Sequence, residues 1–150
     1  MFNMCIVGHG NFPDGMVSAL KLLSGTGEDI TKFNLNEELS HAEYEQQLSD
    51  YLDENNEVII FADMTGGAPH QIASRLIIEK AKGYQYIISS APLNLMLDIL
   101  MKIRLQLLDK NAIETELQQS LKEAQEMMLL IPKTETSEEH IIIEIEEEGI

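Results

Sequence analysis

The sequence predicts a doubly wound α/β fold, in which a mainly parallel sheet is covered by helices on both faces. Strand-like apolar segments alternate with segments of helical periodicity almost from end to end, which is the pattern of parallel strands joined by helices. The central strand-like segments are continuously apolar, as expected of strands that are buried on both faces. With 150 residues, 44% of them hydrophobic, the chain can bury a substantial core in one domain.

Each element of the first half has its own signal. The first strand is an apolar run that stops at Gly8, and the helix after it stops at Gly25, a residue type common just past helix ends. The segment 29–35 alternates apolar and polar side chains, which is typical of a strand near a sheet edge. Ser40 followed by Glu43 forms a capping box and opens the second helix.

The second half continues the alternation. The run 58–62 predicts a buried third strand, and Pro69 stands where proline is favoured, at the start of a helix. An apolar stripe from Ile113 to Met128 marks the last helix. In order, the predicted elements are a strand at 3–8, a helix from about 13 to 25, a strand at 29–35, a helix from 40 to about 54, a strand at 57–63, a helix from 69 to before 83, a strand at 84–89, a helix at 93–107 and a helix after 109.

We expect one structural domain in all. Residues 1–131 form the globular unit, the polar, helix-breaking segment 132–138 is a linker, and the alternating, acidic segment 139–150 is a terminal strand and tail. The methionines of the helical segments are expected to fill the core, as this flexible side chain often does. They are Met96, Met101, Met127 and Met128.

Composition excludes several classes of partner. The formal net charge of −16 would repel nucleic acid and anionic membrane surfaces and would attract a basic protein. The apolar segments are too short to span a membrane, and the first residues lack the basic flank of a signal peptide. The single cysteine, Cys5, lies in the apolar first strand, so we expect a small buried hydrophobe in a reduced, cytoplasmic setting.

The topology predicts where a ligand would bind. A doubly wound sheet binds ligands outside the carboxyl ends of its strands, at the point where the strand order reverses. In the common flavodoxin-like order, that point lies between strands one and three. His9 follows the first strand and Asp63 ends the third, so the two side chains are expected to lie side by side.

These residue types suit nucleophilic attack on phosphorus. One nitrogen of the His9 ring can attack if the other is held by an acceptor such as the Asp63 carboxylate. The loop 66–68 and the helix that follows it offer backbone N–H groups and a positive helix end to a phosphoryl group. Glycine at Gly8 and Gly10 keeps side chains away from the ring. No metal-ligand spacing is present, so this interpretation requires no metal or cofactor.

Other interpretations compete with this one. His70, in the first turn of the third helix, is the rival nucleophile, whereas His41 and His140 are expected to have no role in the site. The glycine loop alone would also fit a non-catalytic regulatory module that binds a small anion. The glycines around His9 do not have dinucleotide-binding spacing, and the chain has no P-loop.

Three motifs together resemble a known family. The first strand ends in GHG at 8–10, the third strand and its loop read FADMTGGAP at 61–69, and the next helix contains ASR at 73–75. This combination resembles the mannose-family IIA component of the bacterial phosphoenolpyruvate-dependent sugar phosphotransferase system. The resemblance extends from residue 1 to about residue 130.

The resemblance implies a phosphotransferase component with a transient phosphohistidine. His9, paired with Asp63, would accept a phosphoryl group from phospho-HPr and pass it to a separate IIB component, for uptake and phosphorylation of a sugar or sugar acid. The protein would be cytoplasmic and peripheral to a membrane transport complex, meeting the IIC and IID components only indirectly. The family also implies a homodimer, in which the C-terminal strand, here 139–150, is swapped between subunits.

The expected phosphoryl-binding residues follow the family's motif with one departure. They are Gly10, Thr65, Gly66, Gly67 and Ala68. Many members have a hydroxyl residue where this chain has Ala68, so only a backbone contact is expected there, and the Thr65 hydroxyl is a candidate substitute. A related phosphotransferase subunit, which serves dihydroxyacetone kinase, shares the fold and the histidine and is the alternative; the Gly-Gly-Ala-Pro loop favours sugar transport.

Overall fold

The predicted α/β fold is confirmed by a computed structural model, which describes residues 1–133. Its elements are β1 (Asn3–His9), α1 (Phe12–Ser24), β2 (Ile30–Leu35), α2 (His41–Glu54), β3 (Glu57–Ala62), α3 (Ala68–Lys80), β4 (Tyr84–Ile88), α4 (Leu93–Arg104) and α5 (Ile113–Glu126). The strands are all parallel and lie in the order β2-β1-β3-β4. The order therefore reverses between β1 and β3, and β2 lies at an edge, as its alternating sequence predicts.

The side chains of the two central strands point alternately into two apolar layers. Ile6 and Phe61 belong to the layer formed with α1, α4 and α5, whereas Val7 and Ala62 belong to the layer formed with α2 and α3. All four are fully buried. Because both faces of these strands are covered, an ionisable side chain inside them would be desolvated at high cost. The His, Asp and Glu side chains of this region accordingly lie at or just past the ends of β1 and β3, whereas the weakly acidic thiol of Cys5 lies inside β1.

The helix starts near those strand ends agree with the sequence. The Ser40 hydroxyl accepts the N–H of Glu43 at 3.3 Å, which is the predicted cap of α2. α3 begins after Gly67 and has proline in its first turn. Since that proline cannot donate a hydrogen bond, it is well suited to a helix start. The amino end of α3 consequently lies directly after the carboxyl end of β3.

The fourth helix is shorter than the sequence predicts. The sequence predicts a helix over 93–107, but α4 ends at Arg104. Gln106 has a left-handed backbone with φ of +55°, and a right-handed helix cannot continue through such a residue. Leu105 and Leu107, the apolar residues that suggested a longer helix, are exposed.

The expectation that four methionines fill the core is wrong for three of them. Met96 is fully buried, but Met101, Met127 and Met128 expose 38%, 66% and 76% of their surface. α5 ends at Glu126, so Met127 and Met128 lie past the end of the helical stripe that packs on the rest of the protein.

The predicted terminal strand lies outside the described residues, as does most of the predicted linker. The division into 1–131, 132–138 and 139–150 therefore stays a prediction, and so does the strand swap. Across residues 1–133, no helix combines the length and the apolar character that crossing a bilayer requires.

Candidate functional site

The carboxyl ends of β1 and β3 bring His9 and Asp63 together, as the topology predicts. Val7 of β1 is paired with Ala62 of β3, and the N–H of Asp63 donates to the Val7 carbonyl at 3.2 Å. His9 is the last residue of β1, and Asp63 is the first residue after β3. The pairing of the strands thus sets the two side chains beside each other, although they are 54 positions apart in the sequence.

The Asp63 carboxylate is fixed by three hydrogen bonds. Its Oδ2 atom accepts the backbone N–H of His9 at 2.8 Å and lies 2.6 Å from Nδ1 of the His9 ring. Its Oδ1 atom accepts the N–H of Met64 at 2.8 Å. The Asp63 side chain is only 10% exposed, whereas that of His9 is 48% exposed. The carboxylate is therefore held in the protein while the ring stays open to a partner.

These contacts determine the protonation of the pair. Burial of Asp63 opposes its ionisation, but the hydrogen bonds from the backbone and ring of His9 and from the Met64 N–H outweigh burial, so the pKa of the Asp63 carboxyl lies below its usual value. The ionised carboxylate accepts a proton-bearing Nδ1. In the neutral ring, Nε2 then has the free lone pair.

Two glycines make room for this pair in different ways. A Cβ atom on Gly8 would lie 2.9 Å from the Phe12 ring and 3.2 Å from Cβ and Cγ of Asp63. A Cβ atom on Gly67 would lie 2.7 Å from Cε1 of His9. The separations of 2.9 and 2.7 Å are too short for a real side chain, and 3.2 Å is tighter than most real contacts. Gly8 therefore lets the carboxylate approach the strand, and Gly67 lets the loop backbone lie against the His9 ring.

The turn after β3 is anchored by side chains from outside it. The N–H of Thr65 donates to the Ser90 hydroxyl at 3.0 Å, and the N–H of Gly66 donates to Nδ1 of His70 at 3.0 Å. The Thr65 hydroxyl lies 2.6 Å from that of Ser89 and 2.9 Å from that of Ser90. Gly66 has φ of +86°, the left-handed backbone that type II turns require at their third residue.

The amino end of α3 has open donors. Among residues 1–133, the N–H groups of Ala68 and His70 have no hydrogen-bond acceptor, as is normal for the first turn of a helix. They flank Pro69, which has no N–H. Gly10 differs, because its N–H donates to the Leu35 carbonyl at 2.9 Å. An anion at this edge would therefore meet the Ala68 and His70 donors but not that of Gly10.

The structure thus brings together most of the residues that the sequence singles out. Thr65, Gly66, Gly67 and Ala68 form the loop beside His9 and Asp63, whereas the Thr65 hydroxyl is already bonded to serines. Sequence reasoning missed those two serines and the acceptor role of His70. The backbone of Ser90 is left-handed, with φ of +52°, which is unusual for serine. No pattern in the sequence predicts this conformation.

Neither a metal centre nor a reactive thiol is found in the part of the chain that the structure describes. No group of three or more His, Cys, Asp or Glu side chains there is arranged to hold a metal ion. Cys5 is fully buried, as expected, and burial raises the pKa of its thiol. A buried thiol held in its neutral form is not a nucleophile.

Comparisons with known proteins agree with the geometry. The model of the EIIA-man family, described as PTS system fructose IIA component, matches residues 3–112. A phosphotransferase system component EIIA from Streptococcus agalactiae superposes with a TM-score of 0.74 at 24% identity, over 87% of this chain and 97% of that one. A mannose/sorbose specific IIA subunit from Enterococcus faecalis superposes with a TM-score of 0.72 at 15% identity, over 89% and 96% of the two chains.

A third solved structure is also similar, with a lower TM-score. The PTS IIA protein associated with the fucose utilization operon of Streptococcus pneumoniae has a TM-score of 0.67 at 20% identity, over 87% of this chain and 93% of that one. No curated protein matches the chain. At these identities the solved structures support the fold, whereas the family model supports the family.

Proposed function

The chain belongs to the EIIA-man family of sugar phosphotransferase system components, and from this premise we propose that it relays a phosphoryl group through His9. The group comes from phospho-HPr and leaves to a separate IIB component, which serves uptake of a sugar or sugar acid. One observation carries the proposal: Nδ1 of His9 lies 2.6 Å from the Asp63 carboxylate, while the ring itself is half exposed beside a glycine turn.

The transfer step follows from the protonation of the pair. The Nε2 lone pair of His9 attacks phosphorus, and the bond from phosphorus to the donor atom of phospho-HPr breaks, its electron pair staying on the donor. The proton on Nδ1 remains there and continues to donate to Asp63. Positive charge that develops on the ring is stabilised by the carboxylate. Transfer to the IIB component is the same displacement in the outward direction.

The loop after β3 supports a site for the phosphoryl oxygens. The open N–H groups of Ala68 and His70 and the positive end of α3 are suited to bind negative charge. Ala68 would contribute its N–H alone. The Thr65 hydroxyl, considered as a substitute for a missing side-chain contact, is bonded to serines, so we assign it to holding the turn. Gly66 and Gly67 give the turn after β3 its backbone shape. Gly10 forms the turn in which the chain leaves β1.

The remaining parts of the proposal concern assembly. The net charge of −16 favours a basic donor protein. We place the protein in the cytoplasm, peripheral to a transport complex whose membrane IIC and IID components it meets only through IIB. A homodimer in which 139–150 pairs with a second subunit belongs to the same proposal.

A phosphorylation assay tests the central step. We incubate the protein with phosphoenolpyruvate, enzyme I and HPr, and measure acid-labile phosphate in wild type, His9→Ala and His41→Ala. His41 is an exposed histidine at the start of α2, so its variant is the matched control and should be labelled like wild type. Label that persists in His9→Ala would contradict the proposal.

The open N–H groups at the start of α3 favour one other function, a regulatory module that binds a small anion without reacting. Wild type that binds inorganic phosphate but takes up no label from phospho-HPr would support that second function. A third outcome is that wild type is labelled but passes its phosphoryl group to dihydroxyacetone kinase and not to IIB. That result would assign the protein to the related phosphotransferase subunits that serve dihydroxyacetone kinase.

A further inference from the structure

We infer that His70 is a positioning residue for phosphoryl transfer, because its ring holds the turn that places Gly67 against His9. The inference rests on the proposed function and assigns His70 a role other than that of a rival nucleophile. The residue lies in the first turn of α3, four positions after the glycine whose N–H it accepts.

The hydrogen bond fixes the tautomer of the His70 ring. A backbone N–H always donates, so the 3.0 Å bond from Gly66 requires an unprotonated Nδ1. In the neutral ring the proton is then on Nε2. His70 therefore has no free ring lone pair with which to attack phosphorus, and this separates it chemically from His9, in which Nδ1 donates and Nε2 is free.

The turn needs such an anchor. Gly66 and Gly67 are adjacent, and glycine loses more backbone freedom on ordering than any other residue. The N–H of Thr65 is held by the Ser90 hydroxyl, but the next N–H, that of Gly66, has His70 as its only acceptor within residues 1–133. Without that bond, the left-handed backbone of Gly66 has no hydrogen bond from its own N–H to maintain it.

The residues that follow the anchor are those that face the reaction. Gly67 lies so close to His9 that an added Cβ would be 2.7 Å from the ring. The open donors of Ala68 and His70 come next. A shift of the turn would therefore move the ring contact and the phosphoryl donors together, and small misplacements of reacting groups are costly to rate.

Two variants of His70 separate positioning from general damage. Leucine removes the acceptor, whereas the Oδ1 atom of asparagine can take the place of Nδ1. We measure kcat and KM for phosphorylation by phospho-HPr in wild type, His70→Leu and His70→Asn, with His41→Leu as the matched control. We expect His70→Leu to lose about tenfold in kcat with little change in KM, and His70→Asn to recover most of that loss.

A spectroscopic measurement on the unphosphorylated protein tests the bond itself. In ¹⁵N-labelled wild type, the ring of His70 should show the Nε2-protonated tautomer, and His70→Leu should shift the Gly66 amide resonance. A thermal melt of each variant checks that the fold is retained.

The outcomes distinguish the two levels of the inference. If wild type takes up phosphate and His70→Leu is as fast, or if His70→Asn is as slow as His70→Leu, the positioning role is wrong. If wild type takes up no phosphate, the proposed function fails and the role in transfer fails with it. A wild-type ring protonated on Nδ1 would overturn the inference whatever the rates.

Discussion

The two ends of β3 each have a largely buried carboxylate beside a cation or a potential cation, but only the carboxyl end combines it with an exposed ring beside a glycine turn and a helix start. At the amino end, Glu57 lies 2.7 Å from the Lys110 ammonium, which also lies 5.3 Å from the centre of the Tyr84 ring. At the carboxyl end, Asp63 lies 2.6 Å from the His9 ring. Both carboxyls have a pKa below the usual value, Glu57 through its hydrogen bond from Lys110 and Asp63 through its bonds from His9 and Met64, which outweigh burial.

The two ends differ in whether the group beside the carboxylate has a lone pair that can react. A lysine ammonium at neutral pH has no lone pair, and its neighbours here are a carboxylate and an aromatic face. The His9 ring has a second nitrogen, and beside it are a glycine turn and open helix donors. An ion pair at a strand end is thus insufficient as a sign of function, whereas a pair that leaves one nitrogen free near anion donors is informative.

The largest effect should come from removing the charge of Asp63, and the same change at Glu57 gives the comparison. Asp63→Asn should lower the rate of phosphorylation by about a hundredfold or more, because the amide no longer fixes the tautomer or stabilises ring charge. Glu57→Gln is the matched change at the other end of β3 and should transfer phosphate like wild type. Equal rates for the two variants would remove the distinction between the ends.

A smaller loss is expected from adding one methyl group beside the ring. In Gly67→Ala, the new Cβ would overlap Cε1 of His9, so we expect phosphorylation to slow by about tenfold. The control is Gly15→Ala in α1, where an added Cβ meets nothing; it should retain the rate and gain about 0.5–1 kcal/mol in stability. A Gly67→Ala protein with the wild-type rate would mean that the turn can move away freely.

Acid should weaken both ends in the same direction. A carboxyl whose pKa is lowered by folding contributes stability that is complete above its unfolded pKa, about 3.9 for Asp, and is lost as the pH falls through the folded value. The unfolding free energy of wild type relative to Asp63→Asn should therefore shrink between pH 5 and pH 2.5, measured by urea denaturation. The same trend is expected relative to Glu57→Gln. A wild-type advantage that grows with acid would contradict the lowered pKa.

The smallest effect is expected from Lys110. Lys110→Met removes a partly exposed ion pair, so it should cost less than about 1 kcal/mol in urea denaturation and leave phosphate uptake unchanged. A larger loss of stability would show that this end of the sheet depends on the pair more than its exposure indicates.

The pairing of His9 with Asp63 could be predicted from the sequence because it depends on regular structure. Continuous apolar runs locate the two strands, and the reversal of strand order places their ends together. The start of α3 could also be predicted from the sequence, because Pro69 is a local signal for a helix start. These features follow from periodicity and from single-residue preferences.

The hydrogen bonds of the turn could not be predicted in this way. Thr65 and Ser90 are 25 positions apart and lie in different loops. Hydrophobic periodicity predicts strands and helices, but it does not predict which loop residues contact each other. The same limit applies to Gly8, which the sequence predicts to keep side chains away from the His9 ring but which makes room for Asp63 and Phe12. Which neighbour occupies the space beside a glycine is a property of packing, and sequence patterns do not encode it.

In the proposed transfer, Asp63 holds Nδ1 of His9, so that Nε2 is the nitrogen that reacts. The most direct test is to phosphorylate ¹⁵N-histidine-labelled protein with phosphoenolpyruvate, enzyme I and HPr, and to locate phosphorus by its one-bond coupling to ring nitrogen. We expect phosphate on Nε2 of His9. Phosphate on Nδ1 of His9, or on His70, would contradict it.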